Sequence, residues 1–277
     1  MVPILFRVGS YTVYSYTVLL VLGLAAGTWR AYRAAQKRLL QPGVVLDGEF
    51  WVLIGGVLGA RVGYVLAHWA YFRSHIDRAL DIRGGGLSWH GALLGAGLAF
   101  ATWTVVRRRA GEMPDWRAIL DAAAPGIALG AASGWAGCLL TGACYGTEAV
   151  GYAPPLSWLT ARLPDIYGVD SVRFLTQPLM LVCCLALWGA LEWLSRHPAR
   201  IPGMRFAGML LLYALADLGV GFLRGDGTWR YGLWLAQWAD VAQAVTALAL
   251  GVWSIAHSAG CRRVGTLPDP KGLVPDL

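Results

Sequence analysis

Charge is what this sequence has least of. Only 14% of its 277 residues are Asp, Glu, Lys or Arg and 57% are apolar, whereas a water-soluble domain carries about 25% charged residues. An ordinary soluble fold is therefore excluded. Between Leu87 and Val106 none of those four residue types occurs at all. Cysteine is also sparse: Cys138, Cys144, Cys183, Cys184 and Cys261 show no zinc-type spacing. Most fall in apolar stretches, so buried, inert thiols are expected for all five, and no metal or cofactor is expected. No internal repeat stands out, which weighs against the inverted halves common in transporters. Acids are outnumbered, 16 against 23 Lys and Arg, for a net charge of +7. Because the basic residues gather in alternate loops, that surplus points to anionic membrane lipid and not to nucleic acid.

What is present is a series of seven apolar stretches long enough to cross a bilayer. They run about Ser10–Trp29, Gly48–Trp69, Leu87–Val106, Ala118–Tyr145, Phe174–Leu191, Phe206–Leu223 and Tyr231–Ala256. Trp29, Trp69, Trp89, Trp193 and Trp229 lie near their ends, where aromatic belts form. The expected fold class is all-α, a polytopic membrane protein with about seven transmembrane helices. Fourteen Lys and Arg fall in the first, third and fifth loops and the C-terminal tail, against eight in the N-terminus and the other loops. The positive-inside rule then puts the N-terminus outside and the C-terminus in the cytoplasm. Residues 1–260 read as one helical membrane domain with a small outer cap at 147–173, and 261–277 as a cytoplasmic tail. The first stretch reads as a retained helix, since its basic cluster follows the apolar core instead of preceding it.

Polar residues inside such segments are costly and are candidate functional groups. His90 is the sole titratable side chain of its segment and follows Arg83-Gly-Gly-Gly86, whose glycines permit close approach of a ligand or a neighbouring helix. Arg61 lies near the middle of the second segment, where an arginine costs about 2.5–3.5 kcal/mol; an acid, a cavity or a bound anion should accompany it. Gly55, Gly59 and Gly63 recur every fourth residue and give that helix a smooth face. Asp121 can cap, pair with Arg61 or carry a proton. Pro125 can bend its helix, Gln177 can cap a break before Pro178, and Asp217, Gln237, Asp240 and Gln243 occupy the last two segments. Arg224 stands at the outer edge. Guanidinium groups match phosphate oxygens, and a neutral imidazole accepts a proton near neutral pH. His90 with Arg61 and Arg224 thus suggests proton transfer beside an anionic phospholipid headgroup.

Five segments resemble, in order, those of the prolipoprotein diacylglyceryl transferase family. Gly56–Leu66 (GVLGARVGYVL) is similar to its second-helix motif. Gly85–Gly95 (GGLSWHGALLG) resembles its His-Gly-Gly-Leu region, with Ala92 for the second glycine. Tyr16, seven residues before Gly23, matches the first-helix tyrosine in position. Asp121–Pro125 followed by Leu129-Gly130 resembles the lead-in to the family signature, and Phe222–Asp226 its Phe-Arg-x-Pro-Asp segment, with Leu223 and Gly225 as changes. In the signature itself Gly134, Gly137 and Gly146 remain, Trp135 stands for an arginine, Cys138 and Thr141 for two asparagines and Ala143 for a glutamate. The family's Gln-Leu-Tyr-Glu is here Gln177-Pro-Leu-Met180.

The resemblance implies transfer of a diacylglyceryl group from phosphatidylglycerol to the lipobox cysteine thiol of a prolipoprotein, with glycerol phosphate leaving, in the bacterial plasma membrane. It implies His90 as base and Tyr16 as a further catalytic group. Arg61, Arg224, Gly91, Asp121, Gly137, Gly146 and Gln177 would form the substrate site. Two other readings stay open on the sequence: a homologue that binds anionic lipid or lipoprotein without transfer, and an ion-coupled transporter using Asp121, Asp217 and Asp240.

Overall fold

The computed structural model describes residues 4–9, 11–37, 42–81, 86–112, 115–165, 167–197, 199–226, 229–230 and 232–264. A strand pair, β1 (Ile4–Val8) and β2 (Tyr11–Tyr14), leads into α1 (Ser15–Lys37). Then come α2 (Pro42–Ala67), the short α3 (Trp69–Phe72) and α4 (Trp89–Arg109). Helix α5 (Trp116–Thr141) precedes a hairpin of β3 (Thr160–Pro164) and β4 (Asp170–Phe174). Helices α6 (Thr176–Leu194) and α7 (Met204–Gly221) follow, and the pair β5 (Trp229–Arg230) and β6 (Leu233–Trp234) leads into α8 (Leu235–Val264).

Six of these helices, all except α1 and α3, are long and apolar enough to cross a membrane. Helix α1 differs from the expected first span in two ways. Residues 11–14 are strand, and the last turns carry Arg30, Arg33 and Lys37, which dilute its apolar run. The protein is nonetheless inside-out by soluble standards. Val57, Leu58, Val62 and Leu66 of α2, Leu94 and Leu98 of α4 and Val182 of α6 are all exposed. The interior combines large apolar side chains such as Trp135, Met180 and Leu191 with many small residues and several polar groups, as expected when lipid solvates the outer faces. The expected tail lies outside the described residues beyond Val264, as does Arg83-Gly-Gly85 ahead of His90.

Helices meet where glycine lets them. α2 runs along α4, and a Cβ at Gly59 or Gly63 would collide with the backbone at Gly91 and Gly95. α1 runs along α5 in the same manner, with Gly27 on Gly126 and Gly23 on Ser133. Gly59→Val has no room to relax, since its neighbour is helix backbone. We expect it to cost at least about 1–3 kcal/mol, read as a lowered melting temperature in detergent.

α5 is the central helix, packed on α1, α6 and α7. It stays continuous through Pro125, which sits among buried Ala122, Ala124 and Gly126, and it ends at Gly142 (φ 77°). Proline removes one hydrogen bond of the ladder, but the helices clamped around it leave no space for a break. Past Gly142 the chain reverses, and Cys138 and Cys144 pair with Cα atoms 5.9 Å apart. The expectation of five unpaired thiols is corrected for these two. Cys184 is buried and Cys183 exposed.

Candidate active site

At one end of the bundle the start of α4, the end of α7 and the start of α8 converge. His90 occupies the first turn of α4, which Ser88 caps by accepting from the Gly91 amide at 3.2 Å. α4 and α8 touch only lightly, and one polar contact bridges them: His90 Nε2 lies 2.7 Å from Asp240 Oδ1. Asp240 is 1% exposed and Asp217, on α7, 4%. Asp217 Oδ1 is buried without a hydrogen bond and faces Arg224 Nη1 at 4.0 Å. Neither aspartate was placed with His90 from sequence. Their only signal was an acid within an apolar helix, and the partner is 150 residues away in the case of Asp240.

His90, Asp217 and Asp240 each offer a donor atom, and these atoms lie within 4.8 Å of one another. One nitrogen and two carboxylate oxygens are a plausible set for a divalent ion. The 2.7 Å contact, however, is hydrogen-bond length, shorter than the ~3.3 Å between ligands of a tetrahedral zinc bound at ~2.0–2.1 Å. The arrangement is a histidine–aspartate dyad with a second carboxylate beside it, and an ion would enter only if His90 and Asp240 parted.

Arg224 follows the last turn of α7. Its Nε and Nη2 donate to the two oxygens of Asp226 at 2.9 and 3.1 Å, a bidentate pairing that leaves Nη1 toward Asp217. Burial alone would lower its pKa, but the hydrogen bond and charge of Asp226, with Asp217, more than offset this, so its pKa is raised. The guanidinium lies over the ring of Trp135 (5.7 Å), whose Nε1 donates to Tyr213 Oη at 3.2 Å. Trp135, the residue that replaces the signature arginine, is therefore the floor beneath the arginine that remains. Tyr16 packs against the same cluster and fills the space that a side chain at Gly137 would take.

The other expected site residues contact mainly backbone groups. Arg61 is buried, but its partners are carbonyls: Nε donates to Ala79 O and Nη2 to Arg78 O, both at 2.7 Å, and Nη1 to Gly86 O at 3.0 Å. These bonds tie α2 to the residues on either side of the segment that leads to His90. Asp121 does not meet Arg61. Its carboxylate accepts from the amides of Gly203, Arg205 and Phe206 at 2.8–3.0 Å and caps α7 at the far end of the bundle. An ion path through Asp121, Asp217 and Asp240 is thus not assembled. Asp121→Ala would orphan those buried amides, and we expect a loss of about 1–3 kcal/mol, measured as a lower unfolding midpoint, with no change in lipid specificity. Gln177 is fully buried and donates to Ala143 O at 2.9 Å, while Thr176 donates to Cys144 O at 2.7 Å. Both hold the turn after α5 instead of capping a break. Gly91 abuts Gly59, and Gly146 abuts Phe174 O; Gly146 also bridges to Arg224 through the backbone.

Most of the segment read as an outer cap, 147–173, lies outside the long helices, and it contains the β3–β4 hairpin. Buried Arg173, missed from sequence, ties it down through Asp165 (3.2 Å), Glu148 (3.4 Å) and the ring of Tyr145 (5.0 Å).

The profile of the family described as prolipoprotein diacylglyceryl transferase matches residues 3–253 of this chain. The chain belongs to that family. It is a multi-pass enzyme of the plasma membrane, a transferase of lipoprotein biosynthesis. Among relatives named phosphatidylglycerol–prolipoprotein diacylglyceryl transferase, the Thermosynechococcus vestitus protein is 29% identical over 258 residues, covering 90% of each chain. The Nostoc protein is 28% identical, covering 92% of this chain and 88% of its own. The one from Thermus thermophilus is 33% identical, covering 82% and 77%. Each diacylglyceryl transferase aligns along most of its length, so the membership applies to the bundle as a whole.

Proposed function

We propose that the chain transfers the diacylglyceryl group of phosphatidylglycerol to a prolipoprotein cysteine at the His90 cluster. The thiol sulfur attacks the glycerol carbon bonded to the phosphate ester. A C–S bond forms, the C–O bond breaks and glycerol phosphate leaves. A cysteine with a pKa near 8.5 is only a few per cent thiolate at neutral pH, so the step gains from a base. The His90–Asp240 contact carries this reading. With Nε2 held against a carboxylate, Nδ1 is the nitrogen that takes the thiol proton, and the charged imidazolium is stabilised as it forms. Arg224 offers Nη1 to the departing phosphate, and Tyr16 packs against the apolar cluster of Trp135 and Tyr213 beneath it.

The topology follows the loop charges: N-terminus outside, C-terminus in the cytoplasm and seven spans. Helix α1 supplies the seventh because it lies along α5 through Gly23 and Gly27. Residues 1–260 form one membrane domain and 261–277 a tail. The outer face then carries His90, Arg224 and the hairpin cap, where a secreted prolipoprotein arrives.

The test incubates the purified protein with labelled phosphatidylglycerol and a lipobox peptide. A thioether-linked lipid and released glycerol phosphate are expected; lipid binding without either product, by folded protein and over several peptides, would leave a homologue that binds but does not transfer. Asp240→Asn should slow transfer about ten- to a hundredfold, less than loss of the base. The loss should lie in kcat with KM for lipid held, because Asp240 acts through His90; an altered KM alone would reject that role.

A further inference from the structure

At the end of the bundle opposite His90, the last turns of α1 and α6 line a half-open cavity of about 530 Å3. The two helices are joined there by Arg30 Nε and Glu192 Oε2 at 2.5 Å. Both run antiparallel to α5: Tyr16 and Gln177 lie at its C-terminal end, so Lys37 and Ser195 lie at its N-terminal end. The wall carries Arg30, Arg33, Lys37 and Arg196 against one acid, Glu192. Since Glu192 answers Arg30, the other three cations have no further acid to pair with in the lining. The hydroxyl of Ser195 also lines it, shielded from solvent and without a hydrogen-bond partner among the described residues.

The surroundings belong to a lipid interface. Trp29 and Trp193 are each 59% exposed at this level, the position of an aromatic belt. Farther along the same helices Val21 and Leu22 of α1 and Val182 and Leu185 of α6 present exposed apolar surface. An occupant here meets cations and a hydroxyl at its head and hydrocarbon along its length.

We propose that this cavity binds the headgroup of an anionic phospholipid, its phosphodiester held by Arg33, Lys37 and Arg196 with Ser195 as hydroxyl donor. The site is separate from the reaction centre, on the opposite membrane face, and its lipid is a bound partner and not a substrate. Diffuse attraction between basic loops and an anionic surface would need neither the cavity nor Ser195, and that difference makes the proposal testable.

The experiment measures phosphatidylglycerol retained by the full chain in mild detergent, by native mass spectrometry over a lipid titration. It is run in the Arg224→Ala background, to keep the lipid of the reaction centre out of the count. Each basic residue near a membrane surface is worth about a fivefold change in binding. The triple change Arg33→Gln, Lys37→Gln, Arg196→Gln should therefore weaken retention on the order of a hundredfold. Those side chains are exposed, so the packing is left alone. Ser195→Leu, which keeps every charge, removes the hydroxyl and narrows the cavity beside it, should also lose the bound lipid, and phosphatidylcholine should not be retained. Undiminished retention in the triple variant overturns the site. Undiminished retention in Ser195→Leu reduces it to diffuse charge. Equal occupancy by inorganic phosphate alone, at millimolar concentration, overturns the lipid assignment. Diacylglyceryl transfer, measured separately in the chain with Arg224 intact, reports on the His90 reading and does not depend on this result.

Discussion

Replacing His90 with alanine is expected to lower the rate of diacylglyceryl transfer by about 10²–10⁴, the range a positioned general base contributes. The protein should remain folded. His90 sits in the first turn of α4, and that helix is held by its glycine contacts with α2 and by the Ser88 cap, neither of which involves the imidazole. The variant does leave Asp240 buried without its partner, so a modest loss of stability accompanies the loss of activity. His90→Ala/Asp240→Asn removes that stranded carboxylate and should recover stability but not rate. If transfer persists in His90→Ala at near the native rate, the thiol is deprotonated elsewhere. The measurement is initial rate of thioether formation under saturating phosphatidylglycerol, with a melting curve on the same preparation.

Replacing Arg224 with alanine is expected to lower transfer by about 10²–10³, comparable with removal of one preorganised donor to developing negative charge. The argument rests on how few cations serve this cluster. Asp217, Asp226 and Asp240 lie within or beside it, and Arg224 is the guanidinium that faces two of them. The departing phosphate adds negative charge to a setting already rich in carboxylate. Without Arg224, the cation left in the cluster among the described residues is His90, which is by then protonated. Arg224→Lys should recover part of the rate, since it restores the charge but not the planar fork that engages Asp226 bidentately. Asp226→Asn tests the converse: the guanidinium stays, its holder weakens, and the lipid KM should rise more than kcat falls. A rate within a factor of about ten of native in Arg224→Ala, below the range for a donor of this kind, would place phosphate stabilisation on another residue.

Several sequence expectations changed their meaning in the folded chain, and for one reason. Arg61 was read as a buried cation that needs an acid, a cavity or a bound anion, and Asp121 as a cap, a partner for Arg61 or a proton carrier; of these the cap is what forms. Both found backbone: Arg61 the carbonyls of Arg78, Ala79 and Gly86, Asp121 the amides at the start of α7. Gln177 likewise found Ala143 O. Every residue carries the same amide and carbonyl, so a side chain whose partner is backbone leaves no complementary residue to find in the sequence. The glycine stripe of Gly55, Gly59 and Gly63 was legible because its meaning is local: a smooth helix face is smooth whatever packs on it. That its counterpart is Gly91 and Gly95 of α4 was not.

The sequence by itself determined the solvent of this protein, the rough extent of most of its apolar helices, and the rarity that marks His90 and Arg61 within them. Those properties follow from residue type and short-range period, which the bilayer reads directly. Only the tertiary structure decided that Asp217 and Asp240 flank His90, that Trp135 lies beneath Arg224, and that Asp121 and Arg61 bond backbone groups of other segments. These are relations between helices far apart in the chain. In lipid, helices are matched by the fit of small faces and by buried polar partners, not by a hydrophobic pattern written along each one.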